Sequence, residues 1–355
     1  MMNENLEAIV SPLLDWYDVN KRTLPWRGTE DPYKVLVSEI MLQQTRVAAV
    51  IPYYLRWMEE LPTVKALAEV DEERLMKLWQ GLGYYSRAKN LRRAARMVMD
   101  EFGGRFPEKY EELLRLPGVG DYTAGAVASI AFGQRVPAVD GNVLRVAARV
   151  TGAEGDILDP KVRRQFRAWM EAVTPEDQPG KFNQALMDLG AMVCLPNGAP
   201  DCGNCPLEKL CEANRLGIQE TLPVRRKKAA RRVEELTVYL LMREEKTALR
   251  RRADTGLLAG LWEFPNVPGN LGEEHAGEPL AEWGLTALDW RKKLTAKHIF
   301  THVEWHMTGY LLETAGEGKG LTWVDREELE TLAVPSAFTR FLEEARRTLE
   351  KEAAK

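Results

Sequence analysis

The sequence predicts two domains of different class, an all-α domain followed, after a basic linker, by a smaller α+β domain. Three observations carry this. At 355 residues the chain is long enough for about two domains. Its apolar residues recur at helical spacing up to Val193 and form strand-like runs after residue 232. Between the two patterns, all four cysteines crowd into the stretch from Cys194 to Cys211. The expected division is 1–212, 213–232 and 233–355.

Composition bounds the function. Apolar content of 45% and charged content of 29% suit a globular protein with a real core. No apolar run approaches the ~20 residues of a membrane span. The stretch MMNENLEAIV has no signal-peptide pattern, so a soluble, cytoplasmic protein without membrane contact is expected; it is also expected to act as a monomer. The net charge of −4 is not the footprint of a globally basic nucleic-acid binder. The positive surplus sits in residues 213–232, so any nucleic-acid contact would rely on local patches and backbone donors. His and Cys are both absent before Cys194, which leaves carboxylates, Lys, Tyr and Ser/Thr for any chemistry there.

The helical domain opens with an amphipathic helix over Asn5–Val19. Pro25 then breaks helical structure and leaves Trp26 and Arg27 on a loop. Tyr33–Thr45 reads as a buried helix, apolar on most faces, with Glu39 as its single acid. A carboxylate so placed either pairs with an arginine or surface water, or remains among aliphatic groups with a raised pKa. Gln43, Gln44 and Thr45 end this helix with polar groups suited to a groove. Helices follow over Val47–Glu60, Thr63–Val70 and Asp71–Gln80. Gly81–Arg87 is a glycine-flexed turn carrying apolar side chains, and its adjacent Tyr84 and Tyr85 are either core or a wedge between DNA bases. Lys89, Arg92, Arg93 and Arg96 make the next helix basic on one side.

Glu111–Val150 is the most informative stretch. A helix end reaches Leu116, the turn Pro117–Gly120 carries two glycines, and a second helix starts at Asp121. Such a turn is either a plain helix–helix connection or a phosphate cradle, in which the free N–H groups and dipole of the second helix face an anion. Asp140 opens an apolar helix containing Val143, Leu144, Ala147 and Ala148 and suits an N-cap. Helices over Pro160–Val173 and Gly180–Val193 complete the domain. The cysteines then follow with gaps of seven, two and five residues. With no others in the chain they indicate a metal centre, either zinc or an iron–sulfur cluster.

Beyond the linker, Val233–Met242 and Thr247–Arg251 form a hairpin across the turn Arg243–Lys246. Lys297–Trp305 begins another hairpin, with Phe300, Thr301 and His302 at its tip. Ser336–Leu349 is a closing helix with Ser336 as its cap.

Several of these motifs resemble known families. Leu116–Ala124 resembles the helix-hairpin-helix of the endonuclease III superfamily, and Val136–Val143 the segment that carries its essential aspartate. The cysteine pattern is similar to that superfamily's, whose first gap is one residue shorter. Leu258–Pro265 resembles a Nudix segment, although the Nudix catalytic box is absent downstream. In that order the motifs resemble the MutY-type adenine DNA glycosylases over nearly the whole chain.

The resemblance implies excision of adenine mispaired with 8-oxoguanine or guanine in double-stranded DNA, and a [4Fe-4S] cluster on Cys194, Cys202, Cys205 and Cys211. It implies Glu39 as the acid that protonates adenine and Asp140 as the carboxylate facing the sugar, with Tyr122 and Asn142 beside them. Arg22, Trp26 and Gln184 would line the adenine pocket, Gln184 departing from members with Glu there. Gln44, Leu82, Tyr84 and the turn residues Gly118, Val119 and Gly120 would contact DNA. Phe300, Thr301 and His302 would read 8-oxoguanine, with Thr301 in place of the family's Ser. Tyr122 stands where bifunctional members carry a nucleophilic Lys, so a monofunctional enzyme is expected. A glycosylase for thymine opposite guanine and a catalytically idle lesion binder are the competing readings.

Overall fold

The computed structural model describes residues 4–196, 198–226 and 230–353. Residues 227–229 of the expected linker lie outside these, as does Asn197 of the first cysteine gap. By internal contacts the chain divides into two units. The first comprises Met1–Val70 and Lys89–Lys227, the second Asp71–Ala88 and Lys228–Lys355.

The first unit is helical, and its helices begin where the sequence offers caps. Asp31 accepts from the N–H groups of Tyr33 and Lys34 ahead of Pro32–Leu42, with Pro32 at the first helical position. Asp159 likewise caps Pro160–Val173, accepting from the N–H of Lys161. The expected first helix is broken in two, Glu4–Glu7 and Val10–Asn20, by a turn at Ala8 and Ile9. Its apolar period continues across the turn, and Leu6, Ile9 and Leu13 all reach the core.

Two helices form the centre. In Gly141–Thr151 every side chain from Val143 to Val150 is buried. It packs against Pro179–Met192 in a cluster that includes Phe166, Phe182 and Leu186. Burying side chains of this size is worth about 1.5–3 kcal/mol each. Pro32–Leu42, buried continuously from Val35 to Met41, lies against the hairpin helix Asp121–Phe132. Gly190 is needed for close approach: a Cβ there would fall 2.6 Å from Cβ of Asn142.

Part of the expected linker is packed structure. Glu212–Leu216 is helical, Ala213 and Leu222 are buried, and Val224 accepts a hydrogen bond from the N–H of Ile157 at 3.1 Å. Only scattered apolar residues do this packing, so no periodicity announces it.

The second unit is built on a mixed sheet of strands β1 (Arg232–Arg243), β2 (Lys246–Arg251), β3 (Trp262–Glu263), β4 (Asn266–Pro268), β5 (Leu285–Ile299), β6 (Val303–Gly316) and β7 (Thr322–Val324). The order is β3-β2-β1-β6-β5, with β1 and β6 parallel and β5 and β6 antiparallel. The β1–β2 hairpin turns through Glu244 and Glu245, both with positive φ. The segment Asp71–Ala88 joins this unit through Gln80, whose amide donates to Val334 O at 2.8 Å, and Lys77, which donates to Leu332 O. Ser336 does not cap the closing helix. It lies in a 3-10 turn, Ser336–Phe338, and the α-helix runs from Thr339 to Ala353.

Candidate active site

The first unit carries a cavity of about 910 Å³ that is open to solvent on one side. Glu39, Tyr122, Asp140 and Asn142 all line it, together with Arg22, Trp26, Gln44, Gly118 and Gly120. Three elements bring the two carboxylates to one space: the buried Glu39 helix, the hairpin helix carrying Tyr122, and the loop that ends at Asp140.

Glu39 is 6% exposed, and the Tyr122 hydroxyl donates to its Oε2. Burial pushes the Glu39 carboxyl above the usual carboxylate range. The Tyr122 hydrogen bond and the Arg27 cation pull the other way, and the charge of Asp140 adds to the rise. Tyr122 is itself pushed well above its ordinary value by burial, so it remains a neutral donor.

Asp140 is the N-cap of Gly141–Thr151, and it does more than cap. Its Oδ1 accepts from the N–H groups of Asn142 and Val143, each at 2.8 Å. Its Oδ2 accepts from the Asn142 amide at 2.8 Å. Asn142 in turn accepts at its Oδ1 from Arg145 Nη2 at 2.8 Å, which fixes the amide's orientation. Burial raises the Asp140 carboxyl as well, but three N–H donors and Arg145 favour its ionised form. The two acids therefore differ in their partners. Glu39 has a single hydroxyl donor, whereas Asp140 has a set of donors that suits an anion.

The remaining expected pocket residues are distributed unevenly. Trp26 is buried and meets Tyr54 edge-on at 5.2 Å. Arg22 is held by Asp188 through Nε, Nη2 and its backbone N–H. Gln184 lies next to this group, accepting from the Tyr17 hydroxyl at 2.8 Å, but it is not part of the cavity lining. Asp188 was not legible as a site residue. It is a lone acid in an apolar helix, the same signal that singled out Glu39, and it binds both Arg22 and Arg27. Arg163, Arg164 and Arg167 also line the cavity, unforeseen from the sequence.

In the hairpin turn, Gly118 has φ +81°, and a Cβ there would fall 2.7 Å from Asn90 Cβ. Val119 is buried, and Gly120 is the N-cap of the hairpin helix. Gln44 takes positive φ at the cavity wall.

Leu82, Tyr84 and the hairpin tip belong to the second unit. Leu82 is buried, whereas Tyr84 is 45% exposed with positive φ, and its hydroxyl shares a hydrogen bond with Thr301 Oγ1. Phe300 packs on Trp305 with centroids 4.8 Å apart, its N–H donates to Val303 O, and His302 is exposed.

The four cysteines form no disulfide with one another and line one small hollow, with Arg149 Nη1 3.2 Å from Cys194 Sγ. Burial pushes the Cys205 thiol up to about 12. Among the described residues, no three His, Cys, Asp or Glu side chains converge as a single ion would require. Four thiols on one hollow are a donor set that suits either zinc or an iron–sulfur cluster.

The comparisons with known proteins agree with this geometry. Residues 37–172 match the HhH-GPD superfamily of base excision DNA repair proteins, and residues 237–344 match the NUDIX domain. The chain is 38% identical to human adenine DNA glycosylase over 94% of this chain and 73% of that protein. It is 41% identical to the Arabidopsis thaliana adenine DNA glycosylase over 96% of this chain and 65% of that protein. Among solved structures, a thermostable thymine-DNA glycosylase superposes with TM-score 0.55 at 31% identity, covering 60% of this chain and 98% of that one. Endonuclease III in a non-covalent DNA complex shares the fold, with TM-score 0.53 at 24% identity, over 62% of this chain and 99% of that one.

Proposed function

Because the chain belongs to the adenine DNA glycosylase family, we propose that it removes adenine paired with 8-oxoguanine or guanine from duplex DNA by hydrolysing the N-glycosidic bond. The observation that carries this reading is one cavity lined both by a buried Glu39, whose carboxyl burial pushes upward, and by an Asp140 surrounded by N–H donors.

Cleavage leaves negative charge on the departing base and positive charge on the sugar. The adenine must first leave the stack to reach a cavity. Glu39 then donates its proton to the base, most usefully at N7, while the Tyr122 hydroxyl holds Oε2 and leaves Oε1 for the proton. Asp140 remains ionised and stabilises the oxocarbenium ion. Its alignment rests on Asn142, which Arg145 keeps from rotating. Water completes the hydrolysis. Among the described residues, no lysine lines the cavity, and Tyr122 stands at the position of the bifunctional members' Lys; both support a monofunctional enzyme without efficient strand cleavage.

The cysteines would hold a [4Fe-4S] cluster, which fixes the loop after Pro179–Met192. Gly118–Gly120 would bind a phosphate through backbone N–H groups. Tyr84 and Thr301, already sharing a hydrogen bond, would meet the base opposite the excised adenine. The protein would act as a monomer.

Product analysis on an A:8-oxoguanine duplex tests the proposal. Free adenine and an intact abasic strand are expected, with strand breaks only after alkali and little adduct trapped by borohydride. Early, efficient trapping would mean that a lysine acts as nucleophile and would overturn the monofunctional reading.

A further inference from the structure

Asp188 lies on Pro179–Met192 with its side chain fully shielded from solvent. Its Oδ1 accepts from Arg22 Nε at 3.0 Å, Arg22 Nη2 at 2.6 Å and Arg27 Nη2 at 2.8 Å, and its Oδ2 accepts from the Arg22 backbone N–H at 3.1 Å. Both arginines line the cavity that holds Glu39. One buried carboxylate thus faces two cations, leaving a net charge of about +1 in this corner of the wall.

We propose that Asp188 is a positioning residue for excision, fixing Arg22 and Arg27 in the cavity wall and cancelling enough of their charge for Glu39 to keep its proton. The inference rests on Glu39 being the acid. The groups that act on Glu39 are few. Tyr122 faces it from the hairpin helix, Arg27 from the loop after Val10–Asn20, and Asp140 from the loop before Gly141–Thr151. Asp121 is engaged elsewhere, accepting from the Tyr110 hydroxyl at 2.8 Å. On Val47–Glu60, which also packs on the Glu39 helix, Tyr54 meets Trp26. On the far side of Asp188, Tyr17 feels Arg27, Asp188 and Arg22 together, and its hydroxyl stands 3.4 Å from Arg27 Nη1. Among the described residues, Arg27 is therefore the cation acting directly on Glu39, and Asp188 is the anion paired with it. The Arg27 Nε is buried without a partner, so this guanidinium depends on Asp188 and Tyr17 for its remaining contacts.

The sign follows from the charges. Removing the Asp188 charge leaves Arg27 uncompensated, which favours ionised Glu39. The pH above which excision falls should then move down. Removing the Arg27 charge should move it up. An opposite charge a few ångströms away shifts a carboxyl by about one unit or more.

The test is the pH profile of single-turnover excision under saturating enzyme, measured on the full chain. Asp188→Asn should lower the alkaline limb by about one unit, so the rate above both limbs falls about tenfold. Arg27→Gln should raise the limb, and the double variant should return it near its original position. Rates that fall in the single variants while both limbs stay fixed would reduce Asp188 to scaffold. If Asp188→Asn does not fold, Arg27→Gln and the double variant still carry the test, since the upward shift must cancel between them. Glu39→Gln in parallel separates the two failures. An inactive Glu39→Gln with unmoved limbs sinks only the Asp188 inference, whereas an active one removes the acid on which it rests.

Discussion

Asp140→Asn separates the cap that Asp140 forms from the catalytic task proposed for its charge. Asn caps helices as well as Asp does, so Oδ1 can still accept from the N–H groups of Asn142 and Val143. The loss falls on the other atom. The new amide nitrogen replaces Oδ2 and meets the Asn142 amide, donor against donor. Asn142 can rotate away only by withdrawing its Oδ1 from Arg145 Nη2. One unsatisfied contact of this kind costs about 1–2 kcal/mol, a fall in melting temperature of about 2–8 °C. The chemical loss is larger. Removing a group that stabilises transition-state charge costs about 2.7–4 kcal/mol, so excision should fall at least ~100-fold. Asp140→Ala should lose the cap as well, about 1 kcal/mol more in stability, with a similar rate. Single-turnover kinetics on an A:8-oxoguanine duplex, run beside thermal unfolding, reads both quantities. Near-normal excision by Asp140→Asn would refute the role given to the charge.

Glu39→Gln should abolish excision while keeping duplex binding, and gel-shift titration beside the rate checks this. The same variant has a stability consequence. The folded pKa of Glu39 is raised, so its contribution is present at low pH and is lost as pH rises through the folded value. Glu39→Gln should therefore unfold at a higher temperature than the parent at neutral pH and show no such gain in acid; equal melting at both pH values would contradict a buried, proton-retaining acid. Purified protein should be brown with broad absorption near ~400 nm, and colourless protein with one bound zinc would exclude the cluster. Thr301→Ala with His302→Ala should narrow the preference for A:8-oxoguanine over A:G by about tenfold or more, since each lost hydrogen bond is worth ~1 kcal/mol. An unchanged ratio would make the hairpin tip scaffold.

Much of the first unit was legible because its signals are local. The cap at Asp140, breaks at Pro25 and the glycine turn, and helical spacing mark elements within a few residues of themselves. Glu39 stood out because an acid in an aliphatic helix needs a reason. The same argument applies to Asp188, which went unnoticed because no motif drew attention to it. Its partners Arg22 and Arg27 are distant in sequence, and pairing across that separation leaves no local trace. The assignment of Asp71–Ala88 to the second unit was hidden for the same reason. It rests on donors such as Gln80 reaching backbone carbonyls near Val334. The front of the linker was misjudged because a short helix and a single buried leucine show no period. Strand lengths were underestimated where β5 is largely exposed and its polar residues do not alternate cleanly.

The central claim is that this cavity cleaves adenine from its sugar, with the partner base setting the preference. One panel tests it most directly: single-turnover excision on otherwise identical duplexes carrying A:8-oxoguanine, A:G, A:T and T:G pairs. The account predicts release of free adenine from the first two, fastest opposite 8-oxoguanine, with no thymine released from T:G. Release of thymine from T:G with adenine left in place would contradict it.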